Sequence, residues 1–109
     1  MFTPQRDITS ILKRIKKSVE ATAPKAVVIL YGSTARKTDK DHSDIDLLIL
    51  IDTDKVSDQN LNRITYPLYD IEFDTGTIIS PTVIAKKDWE STFRITPFYE
   101  NVIKEGIIL

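Results

Sequence analysis

The chain has 109 residues, 41% hydrophobic and 28% charged, with a formal net charge of −1 and no cysteine. That length holds one modest core, and that balance excludes wholesale disorder. It also excludes a strongly basic nucleic-acid footprint, disulfides and Cys-based zinc sites. No segment is apolar for long enough to cross a bilayer, and the N-terminus carries no signal-peptide pattern. The expectation is one cytoplasmic domain over residues 1–109, without membrane association.

Thr3-Pro4 reads as a cap followed by proline at the first helical position. Ile8, Ile11, Leu12, Ile15 and Val19 then recur three or four apart, which predicts an amphipathic helix ending near residues 21–24. Its Lys13, Arg14, Lys16 and Lys17 read as the solvated face. Val27–Tyr31 is apolar and β-branched, a buried strand broken by Gly32. Residues 33–36 form a turn or the first turn of a short helix, and the polar residues 37–43 a loop. Ile45–Ile51 is the second strand. Leu61, Ile64 and Leu68 predict a helix over 57–69, opened by Ser57 or Asp58 and disturbed by Pro67 in its last turn. From Ile71 the alternation predicts a long strand over 71–84, bent near Pro81, with Glu72 and Asp74 on its polar face. A helical turn at 87–93 follows. Thr96-Pro97 opens a last short helix that Gly106 closes, before the apolar tail 107–109. The fold class expected is α/β (α+β), a small mixed β-sheet with helices packed on one side.

The chemistry concentrates between Gly32 and Asp46. Asp44 and Asp46 are two apart at the head of a strand, so both side chains leave the same face, while Ile45 and Leu47 point into the core. Like charges held close repel, and a divalent cation removes the conflict. Carboxylate oxygens suit Mg²⁺ or Mn²⁺, which bind through one or two carboxylates together with substrate phosphates. Gly32 allows close backbone approach to an anion, the N–H groups that follow can point at phosphate oxygens, and the Ser33 hydroxyl adds a donor. A metal beside a phosphate-cradling turn is the minimum equipment for phosphoryl or nucleotidyl transfer.

Gly32-Ser33, ten residues, then Asp44-Ile45-Asp46-Leu47 resembles the nucleotidyltransferase superfamily related to DNA polymerase β. The fuller strings Gly32-Ser33-Thr34-Ala35-Arg36 and Ser43-Asp44-Ile45-Asp46-Leu47 are similar to its minimal nucleotidyltransferase (MNT) branch, as is the ending from Thr96-Pro97 to Glu105-Gly106. The resemblance implies the nucleotidyltransferase fold. It implies binding of ATP or another nucleoside triphosphate with two Mg²⁺ ions, and transfer of a nucleoside monophosphate to a hydroxyl. It makes Asp44 and Asp46 metal ligands. It places a third carboxylate on a later strand beside them, for which Asp74 is the choice and Glu72 the reserve. Gly32 and Ser33 would hold phosphates. Arg36 would pair either with the triphosphate or with an internal carboxylate. Lys37 stands where the family has glycine, a departure in the loop and not in the acid pair.

Stand-alone domains of this branch resemble the antitoxin half of two-gene modules whose partner is a helical HEPN ribonuclease, which implies AMP transfer to such a protein. The alternatives are an adaptor of the same fold with little or no turnover, and a small-molecule modifier of the aminoglycoside-nucleotidyltransferase kind. The latter is disfavoured because 109 residues hold no acceptor-binding domain. His42 reads as a solvated loop residue and Ser43 as either loop or site. Trp89, Phe93, Phe98 and Tyr99 read as packing, not as a base-stacking platform. The apolar tail and these aromatics serve a homo-oligomer, a partner interface or the core.

Overall fold

The computed structural model describes residues 7–35 and 44–109, residues 33 and 34 by their backbone only. Thr3, Pro4, Arg36, Lys37, His42 and Ser43, each given a reading above, lie outside the described residues. The elements run α1 (Ile8–Thr22), β1 (Val27–Tyr31), α2 (Gly32–Ala35), β2 (Ile45–Ile51), α3 (Asp58–Thr75) and β3 (Ile79–Ala85). Then come α4 (Lys86–Glu90), a 3₁₀ turn (Phe93–Ile95), α5 (Pro97–Glu105) and β4 (Ile107–Ile108). The first described helix opens on Asp7, whose carboxylate accepts the Ser10 N–H at 3.1 Å.

The four strands lie in the order β3-β2-β1-β4. β1 runs antiparallel to both β2 and β4, whereas β2 and β3 are parallel. The sheet is therefore mixed, as expected. Parallel pairing requires a crossover, and α3 supplies it. Alternation along β2 divides the core. Ile45, Leu47, Ile49 and Ile51 pack under α1 and α3 with Ile11, Ile15, Val19, Ile64, Leu68 and Ile71. Leu48 and Leu50 face the other way and pack with Ile29, Ile84, Trp89 and Val102. The two long helices thus share one face. The short C-terminal helices cover the other face, which corrects the one-sided packing expected: Leu48, Leu50 and Ile29 are apolar on that side too and need a second layer to bury them. Trp89 anchors that layer, with ring centroids 4.8 Å from Tyr99, 5.7 Å from Phe98 and 6.2 Å from Phe93. These aromatics are packing residues.

The largest correction concerns residues 71–84. Residues 71–75 are not strand. α3 continues through Pro67 to Thr75 and ends on Gly76, whose φ of +71° and N–H bond to the Glu72 carbonyl make an αL cap. Proline inside a helix costs about 3 kcal/mol through the lost N–H and ring clash. Burial of Ile64, Leu68 and Ile71 on one helical stripe offsets it, since each buried aliphatic side chain contributes about 1.5–3 kcal/mol. β3 starts only at Ile79 and keeps Pro81, tolerated because β3 is an edge strand.

Candidate active site

β1 ends where β2 begins, because the two strands are antiparallel. Tyr31 is registered opposite Asp46, and Gly32 follows immediately. Gly32 has φ +78°, a left-handed conformation that side chains disfavour. A Cβ built on it would sit 2.5 Å from Asp46 Oδ2. The carboxylate therefore occupies the space a side chain at 32 would take, which gives glycine two independent reasons here. α2 begins at Gly32 itself, so its first-turn N–H groups, which lack intrahelical partners, start from this contact.

Asp44 is exposed and Asp46 half-buried, while Ile45 between them is fully buried among the α1/α3 side chains. Asp46 thus leaves the face that Leu48 and Leu50 occupy further along, and Asp44 stands just before the strand begins. Residues two apart on a strand are about 6.7 Å apart, and at an effective dielectric of about 20 two carboxylates at that distance repel by about 2.5 kcal/mol. A divalent cation reverses the sign of that interaction. The donor set, one carboxylate on the strand and one two residues before it, fits such an ion. Among the described residues no three acidic or histidine side chains are gathered to hold a metal.

The third carboxylate expected from the sequence is not on β3. Asp74 lies on α3, exposed, with Oδ2 3.0 Å from Arg14 Nη2 of α1. Both helices cover the opposite face of the sheet from the Asp46 side chain, so Asp74 does not join the pair. Glu72, the reserve, is also on α3. Its Oε1 accepts the Ile79 N–H at 2.8 Å and ties the end of the helix to the start of β3. Both assignments followed from reading 71–75 as strand, and both change with it. The strand actually beside β2 reads Ile79-Ser80-Pro81-Thr82-Val83-Ile84-Ala85. Ser80 is registered with Asp46 and Thr82 with Leu48, on the same face as Asp46.

Tyr31 completes the inner wall. Burial pushes its phenol above its ordinary pKa and the Asp46 charge adds to that shift, while a side-chain hydrogen bond with Thr82 works the other way. The ring meets Phe98 edge-on at 5.3 Å, which joins the site to the Trp89 cluster. A cavity of about 190 Å³ opens beside Gly32, lined by Tyr31, Phe98, Asn101 and Glu105. Sequence reasoning missed Tyr31, Ser80 and Thr82. Tyr31 had a signal, since it directly precedes the glycine in an antiparallel pair. Ser80 and Thr82 become visible only once β3 starts at residue 79.

With this geometry in hand, the chain can be compared with known proteins. It matches the family model for the nucleotidyltransferase domain over residues 12–107. It is similar to a crystal structure of a candidate nucleotidyltransferase from Sulfolobus solfataricus, at 20% identity and a TM-score of 0.49, covering 99% of this chain and 89% of that one. No curated protein gives a significant match.

Proposed function

The chain belongs to the nucleotidyltransferase domain family, and we propose that it acts as a minimal nucleotidyltransferase, moving a nucleoside monophosphate from a nucleoside triphosphate, ATP first, to a hydroxyl on a partner protein. The observation that carries the reading is the contact between Gly32 and Asp46, with Asp44 two residues before it. Asp44 and Asp46 would hold Mg²⁺ or Mn²⁺. Gly32, the first N–H groups of α2 and Ser33 would hold the β- and γ-phosphates, with Arg36 a further phosphate contact. The bound cation supplies Lewis-acid polarisation of the phosphate and charge neutralisation in the transition state. In the transfer the acceptor hydroxyl gives up its proton to water, its oxygen bonds to the α-phosphorus, the P–O bond between the α- and β-phosphates breaks, and pyrophosphate leaves. Tyr31, half-buried between Asp46 and Phe98, closes the inner side of the site against solvent.

A cytoplasmic helical protein of the HEPN kind is the proposed acceptor, which gives the chain an antitoxin role. The family resemblance supports this. The test is incubation of the chain with such a partner, ATP and Mg²⁺, followed by intact-mass measurement. The expected result is a partner heavier by one nucleoside monophosphate, lost in Asp44→Asn. An unmodified partner under conditions where the two proteins bind would refute the transfer reading.

One observation favours a second reading, an adaptor with slow or no turnover. β3, the strand beside the acid pair, presents Ser80 and Thr82 there and no carboxylate. The same experiment separates the two, since an adaptor binds its partner without adding mass.

A further inference from the structure

We propose that Ile78, an exposed apolar side chain beside the acid pair, selects the acceptor by meeting apolar surface next to the hydroxyl that receives the nucleoside monophosphate. The inference rests on the transfer reading above. The sheet register draws a row across the site, in which Tyr31 stands opposite Asp46 and Asp46 beside Ser80. Gly32 follows Tyr31, and the Asp46 carboxylate fills the space of its missing side chain, so Gly32 marks the phosphate end of that row. In phosphoryl transfer the attacking and leaving oxygens lie roughly in line through the phosphorus. Pyrophosphate leaves toward Gly32 and α2, with the α-phosphorus beside Asp46. The acceptor oxygen therefore comes from the β3 side of the row.

On that side the inner direction is closed, because the Tyr31 and Thr82 side chains hydrogen-bond across β2. The outer direction leads past Ile78, just before β3. The Ile78 carbonyl accepts the Ile45 N–H at 2.9 Å, so the backbone of residue 78 lies against the peptide link between Asp44 and Ile45. Ile79 is buried in the α1/α3 core, whereas Ile78 is 53% exposed. Covering Ile78 on docking takes apolar surface out of water. That gain goes to an acceptor whose hydroxyl is surrounded by apolar protein surface, and not to a sugar or a phosphate-bearing chain end. Phe73 and Ile108 are more exposed, but Phe73 lies on α3 over the opposite face and Ile108 on β4 at the other edge of the sheet. Ile78 takes part in no bond change. The acceptor O–P bond forms as the P–O bond between the α- and β-phosphates breaks, and the acceptor proton passes to water.

The test is steady-state transfer from ATP with Mg²⁺ to a helical acceptor protein of the HEPN kind, read by intact mass, beside calorimetric titration with ATP and Mg²⁺. The chains compared are wild type, Ile78→Asn, Ile78→Val and Ile108→Asn. Ile78→Asn, similar in size but polar, is expected to raise the acceptor KM at least about tenfold. Its kcat and its Kd for ATP with Mg²⁺ are expected to stay within about twofold of wild type. Ile78→Val, which keeps the apolar contact, and Ile108→Asn, on the other edge, are expected to leave all three quantities within about threefold. An unchanged acceptor KM in Ile78→Asn would overturn the inference, and so would an equal rise in Ile108→Asn. Loss of ATP affinity in Ile78→Asn would also overturn it, because the residue would then serve the metal–nucleotide site. A wild-type chain that binds ATP and the acceptor protein but transfers nothing would remove the transfer reading, and this inference with it. That outcome differs from transfer that ignores residue 78.

Discussion

Gly32 and Gly76 form a natural control pair. Both sit at positive φ, +78° and +71°. A Cβ at Gly32 would meet Asp46 Oδ2 at 2.5 Å, whereas a Cβ at Gly76 would meet nothing within 4 Å. Alanine at either position takes on left-handed strain of about 1–2 kcal/mol. At Gly76 the strain is the whole effect. At Gly32 the Asp46 carboxylate must also rotate away, and that movement displaces a proposed metal ligand. Both variants should therefore lower the urea midpoint by about 0.5–1.5 M, for an m-value of about 1–3 kcal/mol/M. Only Gly32→Ala should weaken Mn²⁺ binding, by at least about tenfold, or about 1.4 kcal/mol. Urea unfolding followed by Trp89 fluorescence gives the first quantity, and calorimetric titration with Mn²⁺ gives the second. If Gly32→Ala bound Mn²⁺ like wild type, the glycine–carboxylate contact would have no part in the site, and the reasoning would fail.

Tyr31→Phe removes the Thr82 hydrogen bond and should cost about 1 kcal/mol at neutral pH, read by urea unfolding. Because folding raises the Tyr31 pKa, its contribution is fully present below the unfolded value of about 10 and is lost as pH rises through the folded value. Wild type should therefore lose stability above about pH 10 more steeply than Tyr31→Phe; equal slopes would contradict the burial argument. Asp74→Asn breaks an exposed ion pair, so it should cost at most about 1 kcal/mol and leave Mn²⁺ affinity unchanged. A large loss of affinity would return Asp74 to the site. Leu68→Ala empties a fully buried position under the Pro67 turn and should cost about 2–5 kcal/mol in urea unfolding; a cost under about 1 kcal/mol would mean that α3 is not held by that stripe.

Much of this architecture was legible in the sequence because single physical causes dominated locally. The α1 stripe, the two apolar strands and the Thr96-Pro97 start of α5 each show one period or one cap, and the structure has each of them. Residues 71–75 failed because two periods coincide there. Ile71, Phe73 and Thr75 alternate like a strand, yet Ile64, Leu68, Ile71 and Thr75 also continue a helical stripe. Pro67 argued for a break between them. Burial decided for the helix, and Gly76 was the cap that would have marked its end. The error then moved into the site, because parity on an imagined strand brought Asp74 and Glu72 beside Asp46. The acid pair itself needed only alternation within β2. Its neighbours on β1 and β3 needed the sheet register, which one sequence does not carry. Phe73, which the same alternation puts on one face with Ile71, is instead 89% exposed on the α3 crest.

The most direct test of the account is calorimetric titration of the wild-type chain and of Asp46→Asn with ATP and with GTP, each with and without Mg²⁺. The account predicts Mg²⁺-dependent binding of at least one nucleotide by wild type, and its loss in Asp46→Asn with the fold intact by circular dichroism. Nucleotide binding that ignored both Mg²⁺ and the substitution would contradict the assignment of the Gly32–Asp46 corner as the metal–nucleotide site.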